Sequence, residues 1–230
     1  MKKIITILAT LMLTTMSINF AKAEGFAVGV IGAYNMIEAD GTETEGTAAD
    51  TSTRTKSVSN NVFTGSVFGE YSFANVSYAD SGITFGIRYT PGSADVSDKV
   101  FSRTDTAEGT GVAGDSSGSV TYKAQAEIDN YINYYLDIPV YKSVYVKAGW
   151  SQIDVSTKES GSSTTGTYGD ATIDGVNYGV GVKGENGNYV WKLAYEATNF
   201  NTLNLTSSTS NKIKADLDTS EVNLSVGYKF

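Results

Sequence analysis

Eleven charged side chains recur at even spacing inside otherwise apolar segments of this sequence: Glu70, Arg88, Lys123, Glu127, Asp129, Lys147, Lys183, Lys192, Glu196, Glu221 and Lys229. Five are carboxylates and six are cations, so the set is nearly balanced. Packed together in a closed interior they form a salt-bridge network; spread along an open passage they form a permeation path. Other chemistry is narrowed by composition. The 230 residues contain no His and no Cys. That removes His-dependent nucleophilic triads, zinc held by His or Cys, and disulfides. A formal charge of −8 argues against nucleic acid as a partner, because phosphate contacts need a basic surface.

Three further patterns have structural readings. Gly179-Val180-Gly181-Val182-Lys183-Gly184 fits G-x-G-x-x-G. A dinucleotide site needs that motif between a strand and a helix, and here no helix follows, so the glycines read as room for side chains from the far wall. Asn75-Val76-Ser77 and Asn204-Leu205-Thr206 match the glycosylation acceptor pattern by chance in a chain with bacterial-type export signals. Glu38, Asp40, Glu43, Glu45 and Asp50 cluster without the spacing of a calcium loop, and read as a solvated surface bridged by divalent ions. No cofactor, no metal centre and no catalysis are expected.

The elements that must position the eleven charges alternate with period two, and no segment carries a sustained helical stripe. Eight runs are read: Phe26–Met36, Phe63–Phe73, Ile83–Tyr89, Val120–Leu136, Val144–Trp150, Val176–Val182, Tyr189–Tyr195 and Val222–Phe230. One face of every run is free of Asp, Glu, Lys and Arg. The other face carries the charges, along with small residues such as Ala27, Gly29, Ala33, Gly86, Gly149 and Gly227.

Connections between runs alternate in length. Ala39–Ser57, Ser93–Ser119, Ser156–Asp174 and Asn199–Thr219 are long and polar; Ala74–Gly82, Asp137–Ser143 and Gly184–Asn188 are short. A membrane barrel has this asymmetry, with tight turns on one side and long loops on the other. Aromatics fall toward both ends of the apolar face. Phe26, Tyr71, Phe73, Tyr134, Tyr189, Tyr228 and Phe230 lie toward the short turns, and Tyr34, Phe63, Tyr89, Tyr122, Trp150 and Tyr195 toward the long loops. Two aromatic belts mark the two interfaces of a bilayer. The expected fold is all-β, an eight-stranded antiparallel transmembrane up-and-down β-barrel with the charges in its lumen. An even strand count returns the C-terminus to the side of the N-terminus.

The first 23 residues read as a secretory signal peptide: Lys2 and Lys3, an apolar Ile4–Leu13, then Ala21-Lys22-Ala23 as the cleavage site. The expected mature domain is residues 24–230. Its loss of Lys2, Lys3 and Lys22 leaves 14 basic residues of the original 17 against 25 acidic ones.

The chain ends Glu-Val-Asn-Leu-Ser-Val-Gly-Tyr-Lys-Phe. This resembles the C-terminal assembly signal of bacterial outer-membrane β-barrels, in which a terminal Phe after alternating apolar residues is read by the barrel-assembly machinery. The resemblance assigns that role to Val226, Tyr228 and Phe230. Over residues 24–230 the architecture resembles the small eight-stranded outer-membrane proteins of the opacity-protein, OmpX and OmpW-like group. It implies a bacterial outer-membrane location, contact with outer-membrane lipid and lipopolysaccharide, and a structural, cell-surface or limited-permeability role. An extracellular ligand or surface would be met by the four long loops. Two other readings stay open: a narrow porin-like channel for small solutes, and a secreted lipocalin-like carrier, which requires an apolar interior.

Overall fold

Alternating β-branched and aromatic residues, with only two prolines in the chain, favour extended backbone over helix. The computed structural model describes residues 25–47, 50–73, 82–106, 119–160, 167–208 and 210–230, and ten strands run through them. They are β1 (Phe26–Thr47), β2 (Asp50–Ser72), β3 (Thr84–Asp95), β4 (Phe101–Thr106), β5 (Ser119–Tyr141), β6 (Val144–Ser160), β7 (Ala171–Asn186), β8 (Tyr189–Phe200), β9 (Leu203–Thr206) and β10 (Lys212–Lys229). The signal segment 1–23 lies outside the described residues.

Every pairing is antiparallel, and the order β1-β2-β3-β5-β6-β7-β8-β10 closes on itself because β10 also pairs β1. The two remaining strands extend their neighbours. β4 continues the line of β3 along β5, at Phe101↔Ala124 beyond Asp95↔Glu127. β9 continues β8 along β10, at Leu203↔Ala215 beyond Asn199↔Asp218. The barrel is therefore eight ribbons, two of them interrupted. Closure leaves the terminal Phe230 N–H donating to Phe26 O at 2.9 Å, so both ends of the barrel chain sit on the short-turn rim.

The long polar stretches differ from the expectation of loops: much of their length is strand. β1 and β2 stay paired from Phe26↔Tyr71 to Thr47↔Asp50. The 22 residues of β1 reach about 70 Å along the strand, or about 55 Å of height at ~40° tilt, twice a ~25 Å apolar band. Pro91 limits one seam. β2 and β3 pair only up to Val67↔Tyr89, and the next β3 residue whose N–H would point toward β2, two positions on, is Pro91, which has none to give.

Two faces follow from the closed ring. Leu224 and Leu193 are opposite each other and point outward, 53% and 47% exposed, amid Val180, Val222, Val226 and Val30. Aromatic pairs edge this band: Tyr34 with Phe63 and Tyr134 with Trp150 toward the loops, and Tyr189 with Tyr228 and Phe26 with Phe230 at the short-turn rim. Tyr134 thus belongs with Trp150 on the loop side, not with the short turns as its position in the run suggested. Beyond the band the outer face turns polar at once, and Glu38↔Asp218 and Asp40↔Asp216 stand directly opposite each other. The interior changes in the opposite sense. Within the band it holds the buried charges among a few apolar groups such as Ile31, Phe68 and Val190, and beyond it Ile37, Ile153, Val155, Ile173, Phe200, Leu203, Leu205 and Leu217 form an apolar cluster.

A bulge in β5 makes that change possible. Asn130 has φ 53°, and pairing jumps from Asp129↔Asp154 to Ile132↔Gln152, so two β5 residues face Ile153 alone. One extra residue exchanges inside for outside. On the short-turn side of it Asn133, Tyr135 and Asp137 are buried inward; on the loop side Ala126 and Ile128 pack against the apolar cluster.

The interior leaves little slack. A Cβ built on Gly86 meets the Tyr135 ring at 2.2 Å. Gly86→Ala is expected to lower unfolding free energy by about 1–3 kcal/mol in urea titrations of the detergent-folded barrel, with a smaller cost in a Tyr135→Leu background.

Candidate functional site

Strand parity delivers the site. Below the bulge, inward positions on six ribbons bring Ser66 and Glu70 (β2), Arg88 (β3), Tyr135 and Asp137 (β5), Lys147 (β6), Lys192 and Glu196 (β8), and Glu221 and Asn223 (β10) into one buried layer. Small residues leave them room. Gly179 lies between Lys147 and Glu196 in the register, and Gly181 abuts the Tyr145 ring, whose Cζ would sit 2.6 Å from an added Cβ. Two glycines of the G-x-G-x-x-G segment are thus packing positions within β7.

The contacts form a continuous chain. The Arg88 guanidinium grips both oxygens of Glu221, with Nη2 donating to Oε2 at 3.0 Å, and its Nε donates to Ser66 Oγ at 3.0 Å. Glu221 and Glu196 are cross-strand neighbours of like charge. The Asn223 amide relieves them by donating to Glu221 Oε1 at 2.6 Å and to Glu196 Oε1 at 2.8 Å. Lys147 donates to the same Glu196 oxygen at 2.7 Å and lies 3.9 Å from Asp137 Oδ1, an ion pair without a hydrogen bond. Lys192 donates to Asp137 Oδ2 at 2.6 Å and also to Glu70, which accepts a further bond from the Tyr135 hydroxyl at 2.9 Å. The Tyr135 ring carries the Lys147 ammonium 4.1 Å from its centre. Three cations and four carboxylates are thus tied together across the lumen.

The other expected members lie elsewhere. Lys183 is half-buried at the short-turn mouth, donating to Gly82 O at 3.3 Å and Thr84 Oγ1 at 3.2 Å. Lys229 pairs with Glu185 at 3.0 Å on the same rim. Lys123, Glu127 and Asp129 are corrected: they are not in the lumen. All three precede the Asn130 bulge, which turns them to the outer face of the strand extension. There Lys123 is exposed, Glu127 pairs with the exposed Lys158, and Asp129 accepts from Ser156 at 3.0 Å. In that same extension burial raises the carboxyl of Glu159 above its ordinary range, opposed by the Tyr168 N–H and reinforced by Glu43.

Asp137 belongs to the layer although the run pattern puts it in the short connection Asp137–Ser143. Its signal was there, since 133, 135 and 137 share the face opposite Tyr134 and Leu136. Asn223, Tyr135 and Ser66 were passed over because they carry no charge.

Cavities flank the layer on both sides. One of about 80 Å³ lies toward the loops, between Arg88, Glu196 and Glu221 and the apolar Ile37, Ile153 and Phe200. Another of about 330 Å³ opens at the short-turn end, against Glu70 and Lys192. Lys147, Asp137 and Asn223 line neither. Among the described residues no group of three or more acidic side chains is placed to hold a metal ion.

No family model and no curated protein matches the chain. Solved structures do. Neisserial surface protein A is similar at 14% identity over 90% of this chain and 98% of its own, with a TM-score of 0.39. The outer membrane protease OmpT of Escherichia coli is similar at 9% identity over 93% and 99%, TM-score 0.46. The outer membrane protein OprG of Pseudomonas aeruginosa is similar at 12% identity over 90% and 97%, TM-score 0.43.

Removing one member of a buried ion network strands its partners. Lys192→Met, which leaves Glu70 and Asp137 without their shared cation, is expected to cost about 3–5 kcal/mol in the same unfolding measurement. Lys183→Met, with only neutral partners to lose, is expected to cost about 1 kcal/mol.

Proposed function

We propose that this chain is an integral outer-membrane β-barrel, exported by residues 1–23, whose sealed lumen makes it a non-catalytic scaffold for a stiff platform on the cell surface. The observation that carries the reading is the inversion within the band: apolar side chains outward, a buried ion network inward. A closed ring satisfies its own backbone, which is what a lipid environment demands. Lipid and lipopolysaccharide are the surroundings of the band, and the strand extensions with their loops meet an extracellular ligand or surface.

The lumen network supports a closed interior over a conducting one. Eight-stranded barrels are barely wide enough for their own side chains, and here those side chains are bonded to each other across the lumen. In planar bilayers the purified protein is expected to insert without discrete conductance steps. Regular ohmic steps with solute selectivity would overturn the scaffold reading in favour of a narrow channel. On the outer face, Leu224→Arg is expected to cost about 2–4 kcal/mol in reversible folding into lipid vesicles.

The last strand supports recognition by the barrel-assembly machinery. Val226, Tyr228 and Phe230 all point outward at the short-turn rim. Phe230 shares its interfacial role with Phe26 and Tyr228, 6.1 Å and 5.3 Å away between ring centres, and it is the rim-most of the outward series Val226, Tyr228 and Phe230. Deletion of Phe230 is expected to reduce the level of the protein in the outer membrane sharply while purified chain still folds in detergent. Unchanged outer-membrane levels would remove that role.

A further inference from the structure

Each of the three buried cations in the layer has at least one carboxylate partner. Arg88 holds both oxygens of Glu221, Lys147 holds Glu196 with Asp137 nearby, and Lys192 holds Glu70 and Asp137. At the rim Lys229 holds Glu185. Lys183 breaks the pattern. Its ammonium donates to two neutral oxygens, Gly82 O and Thr84 Oγ1, and makes no ion pair among the described residues. An ammonium has three N–H donors, so one is unspent. Lys183 is also directly opposite Lys192 across β7 and β8. Like charges in that position repel, and the two carboxylates near Lys192 are already engaged by it.

Lys183 lines the 330 Å³ vestibule at the short-turn end, with the centre of the Tyr145 ring 5.8 Å from its ammonium. Among the described residues the charged side chains of its wall are Lys183, Lys192 and Lys229 against Glu70 and Glu185; Lys192 is paired with Glu70 and Lys229 with Glu185, which leaves Lys183 as the wall's unmatched cation. Ser72 and Ser143 add hydroxyls to the same wall. A cation without its own carboxylate in a partly buried wall attracts a counter-ion. We propose that the vestibule is an anion site, in which Lys183 takes the carboxylate or phosphate group of a small solute on the short-turn side of the barrel. The vestibule has room for a group of that size with a short organic body attached. The site lies on one side of the ion layer, so it stands whether or not the lumen conducts.

The test uses the whole barrel in non-ionic detergent with lysines labelled at 13Cε. Inorganic phosphate and acetate are titrated at constant ionic strength, and the lysine signals are followed by NMR. The Lys183 signal, assigned from its absence in Lys183→Arg, is expected to shift saturably with at least one of the two anions. Lys212 and Lys214, exposed on the strand extension, are expected to stay put or drift without saturating. A second measurement follows thermal unfolding. The anion is expected to raise the unfolding temperature of the native barrel and of Lys183→Arg, and to do so at about tenfold higher concentration for Lys183→Met, the value of one charge-assisted hydrogen bond. No saturable shift at Lys183, or equal shifts at Lys212 and Lys214, overturns the proposal. So does an unchanged anion response in Lys183→Met.

Discussion

Once β1 pairs with β10 from Ala27↔Lys229 to Thr44↔Lys212, the eight ribbons enclose a fixed volume that side chains have to fill. Nothing can be added later, because a closed sheet has no edge at which to grow. Large groups therefore sit opposite small ones. Tyr135 lies over Gly86, and Tyr145 over Gly181. The charges obey the same rule. Each long cation spans the lumen to acids on other ribbons, so Arg88 of β3 reaches Glu221 of β10, and Lys192 of β8 reaches Glu70 of β2 and Asp137 of β5. The network is costly to desolvate, and Asp137 Oδ1 and Glu196 Oε2 are buried in it without a hydrogen bond, which makes it a device of specificity more than of raw stability. It ties together ribbons far apart in sequence, so a register slip in any of them would leave a buried charge without its partner.

The same ribbons run two kinds of interior in series. Inside the band the arrangement is inverted relative to a water-soluble protein, with polar groups in and apolar groups out. Beyond it Leu217, Phe200 and Ile37 go in, and Asp216, Asp218 and Glu38 go out, as in any domain surrounded by water. The interior requirement of a soluble carrier is thus met only in the extension, and within the band it is reversed. The apolar cluster also explains why the polar stretches hold their strand form so far from the band. Paired backbone alone is marginal, and a buried apolar core behind it supplies the rest.

What could be read from the sequence was whatever obeys strict period two. The eight runs, their charged and apolar faces, and the ring they build follow from alternation, and Glu70, Arg88, Lys147, Lys192, Glu196 and Glu221 were assigned inward by it. What could not be read was any departure from that period. Nothing in Asp129-Asn130-Tyr131 announces a bulge except an Asn tolerant of positive φ, and so Lys123, Glu127 and Asp129 were carried to the wrong side. A second shift lies between Phe200 and Leu203, where inward positions change from even to odd numbers. Strands rich in Ser, Thr and Gly looked like loops because propensity is judged locally, while the partner strand and the cluster behind it are remote in sequence.

The four carboxylates of Glu38, Asp40, Asp216 and Asp218 stand in two facing rows immediately past the last apolar positions of β1 and β10. Side by side they repel, and a medium of high dielectric constant with counter-ions is where that repulsion is weakest. Sinking the barrel by one pair of residues, roughly 5 Å of height at ~40° tilt, would carry Glu38 and Asp218 toward hydrocarbon. Raising it would bring Val222 and Tyr34 into water. In a bilayer the rows would act as a depth stop. Asp129↔Asp154, also outward and opposite each other on β5 and β6, repeats the device at a second place on the ring, so leaning toward either pair would be resisted.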